Sequence, residues 1–218
     1  MTRLLLLGAT GRTGNSILRQ LLEHEHIKMT AAIRDVSDSS RLPKTKHPVQ
    51  TTIVDIDNIL SLRKATSEAD IIVNAIRLRG NIPRTALVTL DKRIRESVED
   101  IERRLIITVG GAGSLHTFHD QRFWQDPAFP KRTLPRGIAH AELRDYLEEL
   151  PQASWSYLIP PPAYIPEGLR VGTYKRWEAS NDEMEFLKKS ISYEDFATAV
   201  CDAIRERWKG VHLIAGVD

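Results

Sequence analysis

Only one cysteine occurs in the 218 residues, Cys201, so no disulfide can form within the chain, which fits a reducing compartment. It lies in the apolar stretch Phe196-Ala197-Thr198-Ala199-Val200-Cys201, where a buried structural thiol is expected. No segment approaches the roughly 20 apolar residues of a membrane span. Met1-Thr2-Arg3 before four leucines imitates a signal peptide, but Gly8 and Arg12 cut the run short. Charge of one sign is lacking too. Lys and Arg number 31 against 29 Asp and Glu, a formal net charge of +2, too little for a nucleic-acid footprint. These absences predict a cytoplasmic protein with neither a membrane nor a nucleic acid as partner.

What is present is an alternation of apolar strands and helices. Leu4-Leu5-Leu6-Leu7 runs directly into Gly8-Ala9-Thr10-Gly11-Arg12-Thr13-Gly14. A strand, a glycine turn and a helix start, in that order, bring backbone N–H groups close to phosphates at the positive end of a helix. Strands are predicted over 3–8, 29–33, 50–54, 70–75, 105–109, 155–159 and 211–214. Helices are predicted over 12–25, from Asp57 or Asn58 to Thr66, and over 83–103, 136–150 and 193–207, with Pro83 opening the third. Residues 35–48 read as a loop and 163–190 as an irregular lobe. The class is α/β, a Rossmann-like doubly wound parallel sheet with helices on both faces and a small irregular C-terminal lobe. No repeat or compositional break divides the chain, so residues 1–218 are expected to form one domain.

The strand ends carry the ligand chemistry. Gly8, Gly11 and Gly14 shape the turn, and Thr10, Arg12 and Thr13 are placed to meet phosphates. Strand two ends on Arg34, where an acidic residue would hold ribose hydroxyls. A guanidinium instead pairs with a 2′-phosphate, and Arg12 and Arg41 add charge, so NADP(H) is favoured over NAD(H); Asp35 keeps the second option open. Asp55 can accept from an adenine amino group, with Ile56 as a backbone contact, or it can cap a helix. Ala75 and Ile76 end strand four beside the expected path of ribose and phosphates. Gly110 and Gly111 end strand five and leave room for the nicotinamide. Pro160 follows strand six, and Tyr164 either closes over the nicotinamide or acceptor or packs internally.

Gly110-Gly111-Ala112-Gly113-Ser114-Leu115 is more specific than the glycine turn. With Trp155-Ser156-Tyr157-Leu158-Ile159-Pro160-Pro161 and Ile191-Ser192-Tyr193-Glu194-Asp195, it makes nearly the whole chain resemble atypical short-chain dehydrogenase-like proteins. Within that group it is most similar to NADH-flavin reductase-like proteins and the biliverdin reductase B type. The resemblance implies a reduced nicotinamide cofactor and a flat redox acceptor such as FMN or FAD. It matches Ser114 to a serine near the nicotinamide, the one candidate catalytic residue, and it puts Pro162 where the relatives carry a histidine. Ordinary short-chain dehydrogenases use a tyrosine with a lysine four residues later. Here Tyr146, Tyr157, Tyr164, Tyr174 and Tyr193 are followed at that spacing by Leu150, Pro161, Gly168, Glu178 and Ala197. The usual alcohol–ketone proton exchange is therefore not expected.

The acceptor is expected near residues 111–135 and 160–190, with His116, His119 and Trp124 as candidate contacts; surface placement is the alternative for the histidines. Phe118, Phe123, Trp124 and Phe129 either stack on a planar ring or cover the sheet end. His116, His119 and His140 lack any zinc-like spacing, so no metal site is expected. The expected function is NAD(P)H-dependent, NADPH-preferring hydride transfer to a flavin or similar small planar acceptor. A redox sensor without turnover is the alternative, and isomerase or epimerase chemistry ranks below both.

Overall fold

The computed structural model describes residues 1–24, 26–44, 49–118 and 121–217. Strands β1 (Thr2–Leu7), β2 (Ile27–Ile33), β3 (Thr51–Ile53), β4 (Ile71–Asn74), β5 (Leu105–Val109), β6 (Trp155–Ile159), β8 (Tyr174–Glu178) and β10 (Gly210–Gly216) form an eight-stranded sheet. Its order is β3-β2-β1-β4-β5-β6-β10-β8, parallel except for the β10–β8 pair. The chain leaves β1 in one direction through β2 and β3, then returns to β4 on the other side. That reversal opens a crevice at the carboxyl ends of β1 and β4.

Period-two alternation divides the strand side chains between two faces. Leu4, Leu6, Ile71, Val73, Leu105 and Ile107 meet helices α1 (Arg12–Leu21) and α6 (Tyr193–Glu206) through Ile17, Leu18, Leu21, Phe196 and Val200. On the opposite face Leu5, Leu7, Ile72 and Ile106 pack against Leu62 of α2 (Ile59–Thr66) and against Leu90 and Ile94 of α3 (Ala86–Glu96). Further along that sheet Trp155, Tyr157, Ile159 and Leu213 pack on Leu143 and Leu147 of α4 (Leu134–Glu148). Every residue of Leu4–Leu7 is buried because β1 is covered on both faces. Each such leucine contributes about 2 kcal/mol relative to exposure.

Several boundaries differ from the sequence-based expectation. Helix α1 closes at Leu21, where the N–H groups of Glu23 and His24 turn to Gln20 and Leu21; Glu25, its expected end, lies outside the described residues. The helix expected over 83–103 stops at Glu96. Ser97 Oγ bonds back to the Ile94 carbonyl, Asp100 is left-handed at φ 53°, and Ile101–Arg103 is a separate 3-10 turn. Within the expected 35–48 loop, Val36–Arg41 forms a 3-10 turn, and residues 45–48 lie outside the described residues. The 163–190 lobe is more ordered than expected. It holds β7 (Ala163–Ile165), β8 and α5 (Met184–Leu187), and β7 pairs in parallel with β9 (Ser190–Ser192). Edge strand β8 carries Lys175 and Arg176, which lie over the rings of Trp177 and Trp208 and keep the open edge charged.

Candidate functional site

The glycine turn stands at the β1–β4 crevice. Gly8 adopts φ +80°, and a Cβ there would lie 2.6 Å from the Ala75 carbonyl oxygen, so only glycine lets the turn abut β4. A Cβ on Gly14 would overlap the Gly8 carbonyl oxygen. Gly11 is the N-cap of α1 and offers no side chain to it. The N–H groups of Arg12, Thr13 and Gly14 have no acceptor among the described residues. An open first turn with positive helix polarity, reached through a turn free of side chains, fits an anionic phosphate.

Beside it, Arg34 follows β2 with its side chain 81% exposed, and its Nε lies 3.7 Å from Asp38. Arg41 pairs with the same carboxylate at 2.9 Å and donates to the Thr10 carbonyl at 3.2 Å, which ties the loop to the glycine turn. Asp35 accepts from the Ser37 N–H at 2.8 Å as the N-cap of the 3-10 turn, and this bonding holds its carboxyl below the usual range. Asp55 is exposed and accepts from the Asp57 N–H at 2.9 Å, in a turn leading into α2. Ile56 packs at the margin of the core.

A cavity of about 310 Å³ opens at the sheet's carboxyl edge. Thr13, Ala75, Ile76, Gly110, Gly111, Pro160 and Tyr164, all expected at the cofactor, line it. So do Phe123 and Phe129 from the segment after β5, and Arg136, Gly137 and His140 from α4. Tyr164 both packs and lines. Its ring lies 3.8 Å from that of Tyr193, and its hydroxyl is 3.0 Å from Thr13 Oγ1. Burial pushes that phenol's pKa well up.

Other expected contacts lie elsewhere. Ser114 is fully buried, its hydroxyl donating to the Gly111 carbonyl at 2.8 Å, so it braces the turn beneath the cavity and is not part of the wall. His116 bridges to Arg122, with its backbone N–H bonded to Glu183, and is not among the lining residues. Burial, then Arg122 and Arg144, lowers its pKa. Trp124 also stays out of the lining and packs behind Gly137. His119 lies outside the described residues.

Of the α4 residues lining the cavity, His140 sits deepest against β5. Its ring crosses Gly111, where a Cβ would lie 2.5 Å from Cδ2. Its Nδ1 is 2.9 Å from the Tyr157 hydroxyl. Burial, with a smaller contribution from Arg136, lowers the imidazole pKa to about 4, so it is neutral at pH 7. Burial raises the Tyr157 phenol far above its ordinary value. The signal for His140 was its spacing: Arg136 and His140 share one helical face, with Gly137 giving room beside them. No group of three His, Cys, Asp or Glu able to hold a metal occurs among the described residues.

Sheet order, crevice and glycine turn together define a Rossmann-like dinucleotide-binding architecture. Residues 8–207 match the family described as NAD(P)H-binding, and the chain belongs to that family. It is 27% identical to the protein YwnB of Bacillus subtilis over 205 residues, 91% of this chain and 90% of that one. A Streptococcus pneumoniae structure named as a candidate NADH-flavin reductase shares the fold, with TM-score 0.82, 19% identity and full coverage of both chains. A Bacteroides thetaiotaomicron structure named as a candidate epimerase superposes at TM-score 0.81, with 19% identity over 100% of this chain and 98% of that one. A Rossmann-fold NAD(P)-binding family protein of Shigella flexneri gives TM-score 0.68 at 18% identity, over 99% and 94%.

Proposed function

We propose that the protein is an NADPH-preferring oxidoreductase that reduces a flavin or similar planar acceptor without a tyrosine–lysine pair. The observation that carries this reading is the makeup of the cavity wall. Its apolar and aromatic parts, Ile76, Pro161, Phe123 and Phe129, suit a flat ring. Of the two tyrosines on the wall, Tyr193 packs against Tyr164; Tyr164 and the adjoining Tyr157 are bonded to Thr13 and His140, and burial keeps these two protonated. Among the described residues no lysine lines the cavity. Chemistry that needs a strong protein base is poorly served there, whereas hydride transfer needs chiefly alignment.

When bound, a reduced nicotinamide supplies a hydride, the two-electron equivalent taken up by the acceptor, and water supplies the proton. The chain's own part is to bind and orient. The open N–H groups of α1 take phosphate, and Gly110 and Gly111 keep the end of β5 free of side chains. Arg34 and Arg41 favour a 2′-phosphate. Asp38 offsets part of their charge, while Asp35, the residue that would favour NADH, is engaged in capping.

The test is to mix the protein with NADPH and FMN and follow the nicotinamide absorbance. Oxidation well above the uncatalysed rate is expected. Measurable NADPH binding with no such oxidation overturns the reductase reading in favour of a sensor.

A further inference from the structure

Two arginines line the cavity without carboxylate partners, and two more lie near one of them. Arg136, half-buried in the first turn of α4, and Arg77, just beyond β4, line the cavity. Arg132 and Arg79 complete the group; together with Arg77 they lie close enough for their charge to weaken the hold of Arg136 on its proton, after the larger effect of its burial. None of the four side chains has an ion-pair or hydrogen-bond partner among the described residues. Their neighbours do: Arg84 pairs with Glu142, Arg122 with Asp145, and Arg144 with Glu148 and Glu183. Crowding like charges at a partly buried site is costly unless an anion arrives to offset it.

The cradle for cofactor phosphates is built from α1 with Arg34 and Arg41 beside it, whereas these four come from the segment after β4 and from α4 and the turn before it. Arg136 stands beside Gly137, against which the Phe129 ring packs, on the wall where a planar acceptor is to lie.

We propose that the acceptor carries an anionic group, a phosphate or carboxylate on its side chain, held by Arg136 with Arg77, Arg79 and Arg132. This rests on the reading of the cavity as an acceptor site. Guanidinium groups match either anion by paired hydrogen bonds.

The experiment compares riboflavin, FMN and 10-carboxymethylflavin, a flavin whose side chain ends in carboxylate, by binding and by turnover. Binding is read from flavin fluorescence with the protein unaltered, and turnover from NADPH oxidation. FMN or the carboxylate analogue is expected to exceed riboflavin by about tenfold or more, from charge-assisted bonds. Which of the two leads distinguishes phosphate from carboxylate. Arg136→Leu brings the ratio close to one, Arg136→Lys restores part of it, and raised salt shrinks it in the parent protein. NADPH affinity stays within about twofold in both variants.

Equal preference for charged and neutral flavins overturns the inference while leaving the reductase reading intact. So does a ratio indifferent to Arg136. A loss of NADPH affinity in Arg136→Lys reassigns the cluster to the cofactor and also overturns it. Charge-dependent flavin binding without turnover upholds the anion site and defeats the reductase reading instead.

Discussion

The Tyr164 hydroxyl lies 3.0 Å from Thr13 Oγ1, joining strand β7 of the C-terminal lobe to the first turn of α1. The two residues are far apart in sequence, yet both line the cavity. The Tyr164 ring is held independently, by Tyr193 and by Phe196 at 5.3 Å. Tyr164→Phe therefore removes the bond and keeps the packing. It is expected to lower stability by about 1 kcal/mol. It should also weaken NADPH binding several-fold if the lobe orients Thr13. Urea unfolding and NADPH titration check the two effects separately.

Gly14→Ala tests the cradle. The added Cβ would overlap the Gly8 carbonyl oxygen, which is backbone and cannot rotate away. The turn must open, and NADPH affinity should drop by about tenfold or more. Fluorescence titration of NADPH measures it, with circular dichroism to show that the sheet is retained. Full affinity in the variant would mean that the turn is looser than the structure describes.

Arg34→Asp tests the choice of cofactor. Arg34 is largely exposed, so the change costs little stability, but it replaces a cation with an anion at the end of β2. The ratio of kcat/KM for NADPH over NADH should fall below one. A parent protein that already favours NADH would overturn the role assigned to Arg34.

The alternation of strand and helix and the glycine turn were legible in the sequence because they rest on local rules. Leu4–Leu7 is continuous because β1 is covered twice, and Gly8 is glycine because Ala75 lies against it. The edge strand β8 was not legible. Tyr-Lys-Arg-Trp-Glu has no apolar alternation, and its charged side chains are accommodated by tryptophan rings, one of them on Trp208. The break at Ser97 was hidden for a related reason. It involves Thr66, in another helix, whose hydroxyl donates to the Ser97 carbonyl at 2.8 Å. The α4 wall of the cavity escaped because Arg136 and His140 acquire meaning only once Gly111 and Arg77 are brought to them by the fold.

His140 predicts a pH effect of definite sign. Its folded pKa is about 4, below the ordinary histidine value near 6.5. Between those values the unfolded chain binds the proton and the folded chain does not, so protonation favours unfolding. The stabilising contribution is present above about pH 6.5 and is lost as pH falls through about 4. His212, also lowered to about 4 by burial and Arg176, acts in the same direction. His140→Gln should therefore lessen, not abolish, the decline of the urea midpoint over this window, by about one proton's worth of slope. An unchanged slope would show that His140 titrates normally.

Arg144 and Glu183 form the most deeply buried ion pair described, with side chains 2% and 1% exposed and guanidinium–carboxylate bonds of 2.8 and 2.9 Å. Arg144 also donates to the Ser114 carbonyl at 3.0 Å, and Glu183 accepts from the His116 N–H at 2.8 Å. The pair thus clamps the segment after β5 between α4 and the start of α5. Arg144→Met removes the cation and strands a buried carboxylate, which should cost about 3–5 kcal/mol. Pairing it with Glu183→Gln removes the stranded charge, so the double variant should recover a large part of that loss. Urea denaturation of the parent, the two single variants and the double variant closes the cycle. Strict additivity would refute the clamp. A coupling of more than about 1 kcal/mol would establish that the wall carrying Gly111 and Phe123 is held from behind by this pair.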